Sequence, residues 1–246
     1  VVEARGNINA CLGNQETITI TIDPEPVVSP ALDLTVCSDD PTGLVLNTNG
    51  TSIAASSYNI VSRIVPGALS PVAQVAVPAS GVAANYLQGE IYRNTTNGSL
   101  IVQYVVEARG TINNCLGDQR TINVTVDPEP VVSASLNATV CSNDIVNLLL
   151  NTNGTSIGAA SYEIISRTVA GGLNPIAQVP VPMAGVGAAY LQNEVYENTT
   201  GASLTVVYVV RAAGTINGCV GDNRTITMTI DPEPVISPAL DASVCS

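Results

Sequence analysis

The chain has 246 residues, 46% of them hydrophobic, and a formal net charge of -12; it is too apolar for disorder and long enough for one or two folded cores. Its eight basic residues are all Arg, and His, Lys, Trp and Phe are absent. That inventory excludes imidazole-dependent hydrolysis, Lys Schiff bases and Lys–Asn isopeptide crosslinks, and it offers no basic stripe for nucleic acid or an anionic membrane.

In chain order, Val1–Arg5 reads as a strand already under way. Thr17–Ile22 alternates polar and apolar without a fault, which predicts a strand with Ile18, Ile20 and Ile22 on its core face. Asp23, Pro24, Glu25 and Pro26 then stop it, because proline ends a ladder and stiffens the backbone beyond it. Gly43–Thr48 and Tyr58–Val65 are β-rich, and Asn47–Ser52 between them carries an Asn-Gly turn signal. Gly81–Tyr92 admits a short helical turn before a strand. In Ile101–Arg109 one face holds Val102, Tyr104, Val106 and Ala108, while Gln103, Glu107 and Arg109 look outward. Thr121–Val126 likewise places Ile122, Val124 and Val126 together. No run approaches ~18 apolar residues, so no membrane insertion is expected in this segment.

The same phrases return. "VVEARG" starts at Val1 and Val105 and "VVRAAG" at Val209, "DPEP" starts at Asp23, Asp127 and Asp231, and cysteines fall at 11, 115 and 219 and at 37, 141 and 245. Every interval is 104 residues, and residues 1–104 match 105–208 at 67 of 104 positions. A period near 104 exceeds solenoid repeats of ~20–50 residues and suits a complete β-sandwich of ~100. Seams are expected at the linkers Asp23–Pro26, Asp127, Pro128, Glu129 and Pro130, and Asp231, Pro232, Glu233 and Pro234. Residues 27–130 and 131–234 are then complete repeats, 1–26 the last two strands of a preceding one, and 235–246 the start of a following one.

Six cysteines without CxxC spacing or histidine point to disulfides, and hence to an oxidising, extracytoplasmic setting, rather than to metal. Pairing within a repeat gives Cys37–Cys115 and Cys141–Cys219, with Cys11 and Cys245 paired elsewhere. Pairing across seams gives Cys11–Cys37, Cys115–Cys141 and Cys219–Cys245. The first is favoured because each repeat then carries its own staple. The four tyrosines of a repeat (58, 86, 92 and 104) are its only large aromatic residues. Tyr58, Tyr104, Tyr162 and Tyr208 are expected in the core, with Tyr104 placed like a tyrosine corner. Acidic residues near the seams (Asp23, Glu25, Asp39, Asp40, Asp127, Glu129 and Asp144) leave room for a structural calcium, though a solvated acidic surface is the plainer reading. No other cofactor is expected. Sequons at Asn49, Asn94, Asn123, Asn153 and Asn198 read first as turns.

The order "YVVEARG…NNCLGDQRTINVTVDPEP…TVCS" resembles the PKD-like, immunoglobulin-like repeats of very large surface proteins of Bacteroidota. That resemblance implies exported stalks and adhesins, some serving gliding motility, and no catalytic residue. The resulting expectation is an all-β, tandem immunoglobulin-like (PKD-like) sandwich array in an extended extracellular fibre. Its partners would be neighbouring repeats, identical chains in a fibre, or surface glycans. The alternatives are a filament subunit exchanging strands between chains and a repeated carbohydrate-binding module.

Overall fold

The computed structural model describes residues 1–234. A hairpin of β1 (Val2–Arg5) and β2 (Leu12–Glu16) opens it. The next strands are β3 (Leu34–Cys37), β4 (Ala55–Ile64), β5 (Ser70–Ala73), β6 (Ala79–Val82), β7 (Ile91–Arg93), β8 (Leu100–Gly110) and β9 (Arg120–Asp127). The same succession then recurs as β10 (Ala138–Cys141), β11 (Ala159–Val169), β12 (Leu173–Ala177), β13 (Met183–Val186), β14 (Val195–Asn198), β15 (Leu204–Gly214) and β16 (Arg224–Asp231). Among the described residues, no helix is long and apolar enough to cross a membrane.

Each succession builds one immunoglobulin-like β-sandwich, so the fold is all-β and tandem. In the first, a five-stranded sheet of order β3-β9-β8-β4-β6 faces the pair β5-β7; in the second, β10-β16-β15-β11-β13 faces β12-β14. The first strand of each large sheet runs parallel to the last, with Cys37 opposite Asp127 and Cys141 opposite Asp231. Alternation decides which face is buried. Val102, Tyr104, Val106 and Ala108 of β8 and Ile122, Val124 and Val126 of β9 are fully buried. The core they form also takes Val28, Leu44, Leu46, Tyr58, Ile60, Leu87 and Tyr92. An equivalent core in the second sandwich is built on Ile164, Tyr208, Val210, Ile226 and Met228.

Three expectations need correction. Thr17–Ile22 is no strand, and Ile18, Ile20 and Ile22 are 62%, 83% and 88% exposed. The hairpin keeps the repeat's register, since Val2↔Glu16 corresponds to Val106↔Arg120. Among the described residues no strand pairs with Ile18–Ile22, so their alternation has no ladder to join. Gly43–Thr48 is an extended strip rather than a regular strand. It is tied by Gly43 N–H to Gln88 O at 3.0 Å and Leu46 N–H to Ala84 O at 2.8 Å, and it turns Leu44 and Leu46 inward. Gly81 and Val82 end β6, and residues 84–89 form successive turns rather than a helical turn before β7, closed by Tyr86 N–H to Ala83 O and Gln88 N–H to Asn85 O, both 3.1 Å.

The sequons at Asn49, Asn94, Asn153 and Asn198 serve as turn scaffolds, whereas Asn123 lies within β9 opposite Gln103. Asn49 Oδ1 accepts the amides of Thr51 and Ser52 at 3.1 and 2.9 Å, with Gly50 at φ +79° supplying the left-handed position. Asn94 is fully buried and donates to the carbonyls of Gly98 and Val126. Residues 235–246, the expected start of a following repeat, lie outside the described residues, and Cys245 with them.

Candidate functional site

Two constellations stand out: a buried polar knot inside each sandwich, and the seam where the two sandwiches join. In the knot, Glu90 is fully buried. Its Oε1 accepts from the Arg63 guanidinium and, at 3.1 Å, from the Val75 amide; its Oε2 accepts from the hydroxyls of Tyr92, at 2.8 Å, and of Tyr104. Arg63 also donates to the Val75 carbonyl and to Gln74, both at 3.1 Å. Tyr104 and Arg63 come from the large sheet and Tyr92 from the small one, so the knot ties the layers together. The second sandwich repeats it with Glu194, Arg167, Val179, Tyr196 and Tyr208. Burial pushes the Tyr92 phenol up to about 12 and the Tyr104 phenol further still. Tyr104 is therefore not a tyrosine corner bonded to nearby backbone. Tyr58, Tyr104, Tyr162 and Tyr208 are all buried. The polar groups of this knot bond one another inside the sandwich.

At the seam, linker residues are held from both sides. Asp127 is 2% exposed. It accepts the Ser99 hydroxyl from its own sandwich and the Asn217 amide from the next, while its carbonyl takes Ser38 N–H at 2.9 Å. The Ile157 amide crosses the seam to the Thr96 carbonyl at 3.1 Å. Pro130 packs its Cδ beside Gly214, and its carbonyl oxygen occupies the place a side chain at Gly221 would need. Pro26 does the same at Gly110 and Gly117, and Asp23 accepts the Asn113 amide at 2.6 Å. Pro26 and Pro130, the last prolines of the first two linkers, thus dock on the repeats that come after them. Substituting Gly221→Ala would drive Cβ into the Pro130 carbonyl, and a loss of about 1–3 kcal/mol is expected from the forced shift. Urea unfolding checks this, and an unchanged midpoint would contradict the close packing described.

Arg93 gathers three carboxylates across the same seam. Its Nε lies 2.9 Å from Asp39 and 3.7 Å from Glu129, and its Nη2 lies 3.2 Å from Asp222 of the next sandwich. Asp39, Glu129 and Asp222 offer oxygens within 4.8 Å of one another, and the chain supplies its own cation there. Of the acidic residues expected near a calcium, only Asp39 and Glu129 meet here, and Asp127 is engaged in the hydrogen bonds above. Burial, then the negative charges of Asp39 and Asp222, push Glu129 up to about 7, with Arg93 opposing.

A carboxyl raised in the folded state holds a proton that the unfolded chain has lost. Its contribution to stability is therefore full below about pH 4.5 and fades as pH rises through 7. Denaturation at pH 5 and pH 8 should show this loss, at most about 3 kcal/mol, and Glu129→Gln should flatten it. An identical pH dependence in that variant would refute the assignment.

The disulfide also crosses the seam: Cys37 is bonded to Cys219, with Cα atoms 5.4 Å apart and a sequence separation of 182. Neither expected pairing holds. Within a repeat, Cys37 ends β3 at the pole beside Asp127. Cys115 lies at the opposite pole, where its carbonyl accepts Gly110 N–H beside Pro26. The eleven residues of β8 separate the poles by ~35 Å, against the ~7 Å limit for bridging Cα atoms. Cys115–Cys141 fails for the same reason, now across two sandwiches. Cys219 occupies the near pole of the second repeat, which is why it meets Cys37. Cys11 and Cys141 are exposed and Cys115 half-buried, all unpaired among the described residues.

Sequence reasoning missed Arg63, Glu90, Arg93 and Asp222. The first two left a signal, since both recur one period on as Arg167 and Glu194. Arg93 left none, because its counterpart is Glu197.

No family model and no curated protein matches the chain. Among solved structures, mouse clustered PcdhgC3 EC1-3 is similar at a TM-score of 0.32 and 9% identity, covering 94% of this chain and 75% of that one. Mouse Protocadherin-24 EC1-3 gives 0.32 and 12%, with 94% and 78% covered. Human CDH23 EC21-23 gives 0.28 and 10%, with 84% and 64% covered. None superposes closely enough to speak to function.

Proposed function

We propose that this chain is a non-catalytic, load-bearing section of an extracellular surface stalk or adhesin, in which sandwich repeats are set end to end. The observation that carries this reading is the seam. Two repeats are joined there by a disulfide, a shared aspartate, an ion cluster and a docked proline linker, while the polar groups inside each sandwich are consumed by packing. A joint fastened at several points resists bending and carries tension, and near-identical units build length more readily than one specific pocket. The disulfide favours an oxidising location outside the cytoplasm, and attachment to surfaces or glycans would fall to other parts of such a protein.

Solution scattering tests the shape. Two sandwiches end to end should reach roughly 80–100 Å, with a radius of gyration well above the ~18 Å of a compact body of this length. A value near 18 Å would reject the elongated reading.

A further inference from the structure

We infer that Cys141 and Cys115 are the two open halves of the bond seen between Cys37 and Cys219, each taking a cysteine from a further copy of this repeat. The inference rests on the stalk reading above and adds a covalent plan to it.

The settings of the paired and unpaired cysteines are the same. Cys37 and Cys141 each end a parallel first strand opposite an aspartate. The serine after each donates its amide to that aspartate's carbonyl, at 2.9 Å from Ser38 and 2.8 Å from Ser142. The residue after that donates to a tyrosine carbonyl, Asp39 to Tyr92 and Asn143 to Tyr196, both at 2.9 Å. Cys115 and Cys219 sit in matching loops. Each carbonyl accepts a glycine amide, from Gly110 at 2.8 Å and from Gly214 at 2.7 Å, and each amide turns back to an isoleucine carbonyl at 3.2 and 3.3 Å. The docking beside each loop also recurs: Asn113 on Asp23 and Pro26 against Gly117 repeat Asn217 on Asp127 and Pro130 against Gly221. One pair of these cradles is already bonded, so the pole bearing Cys141 is built to receive a Cys219-type loop, and Cys115 to receive a Cys37-type strand end.

The spacing gives this plan its consequence. The bond spans 182 residues, but the repeat is 104, so successive bonds overlap by 182 − 104 = 78 residues. Two covalent tracks then interleave. One skips from Cys37 to Cys219, while the other enters at Cys115, runs along the chain for 141 − 115 = 26 residues through the linker, and leaves at Cys141. Tension can draw out only those 26 residues per two repeats, ~90 Å at full extension, however many sandwiches unfold. Each bond forms by thiol–disulfide exchange with a small-molecule or protein disulfide. The first cysteine thiolate attacks it and releases one thiol; the second displaces the other, so two electrons pass from the cysteine sulfurs to the oxidant and two thiols result.

The test lengthens the chain by one repeat, placing a copy of residues 27–130 after Pro234, and oxidises it with glutathione disulfide at low protein concentration. Non-reducing peptide mapping should show Cys37–Cys219 in both chains. Only the lengthened one should show a second pair, joining Cys141 to the added copy's counterpart of Cys115, with two thiols per chain lost to alkylation. Cys141→Ser should delete that second pair alone. If Cys141 stays alkylatable beside an intact Cys37–Cys219 bond, the inference fails and the stalk reading stands. Loss of the Cys37–Cys219 bond itself would remove both.

Discussion

Replacing Glu90 with alanine is expected to cost the first sandwich about 3–5 kcal/mol, the range for removing one partner of a buried ion pair. The substitution removes a carboxylate that meets four donors at once. The Arg63 guanidinium, only 14% exposed at its side chain, is left without its counter-charge. The Val75 amide loses its acceptor, and the hydroxyls of Tyr92 and Tyr104 are left with only each other, 2.8 Å apart, inside the core. For a domain near 100 residues such a loss lowers the melting temperature by about 12 °C or more. The second sandwich keeps its own knot on Glu194, so calorimetry should resolve two transitions, one shifted and one nearly in place. Glu90→Gln retains an acceptor oxygen and should fall between the parent and the alanine variant. An alanine variant that melts with the parent would show that the knot contributes nothing beyond filling space.

The second large effect concerns Cys37→Ser. A crosslink spanning 182 residues stabilises by roughly 5 kcal/mol on the chain-entropy model, and here it ties two cores rather than closing one. The parent chain is expected to resist denaturant as a linked pair, while the serine variant, or the parent under reducing agent, unfolds at lower concentration. Pulling between the chain ends gives the sharper measurement. With the bond intact, the residues between Cys37 and Cys219 cannot enter the extended length. Once it is broken they can, adding roughly 640 Å at ~3.5 Å per residue. Equal contour lengths with and without reductant would eliminate the bond as a mechanical element.

How far these properties were legible differs by kind. The faces of β8 and β9 could be read from alternation because a half-buried strand imposes a period of two, and Ile122, Val124 and Val126 are where that period puts them. The repeat was legible because identical phrases must share one fold. The same alternation misled at Thr17–Ile22, since a strand pattern states a preference and only a neighbouring strand satisfies it. The disulfide was beyond reach for a geometric reason. Cysteine spacing does not say at which pole of a sandwich each sulfur lies, and Cys37 and Cys115 sit at opposite ones. The tyrosines could be assigned to a core from the want of other aromatics, but their hydroxyl partners lie distant in sequence, and only the recurrence of Arg63 and Glu90 one period later hinted at them. Arg93 shows the limit, because its carboxylate partners come from two sandwiches and its place is taken by Glu197 in the next repeat.

The bond between Cys37 and Cys219 also bears on what a protease could do to this chain. Every peptide bond between those residues lies inside a covalent ring, including the exposed turn at Asn49–Gly50, the strip from Gly67 to Gln74 and the linker at Pro128. A single cut anywhere in that ring opens it without separating the two ends. The nicked protein would run as one species until its disulfide was reduced, so a cut in its loops would leave the two ends covalently joined.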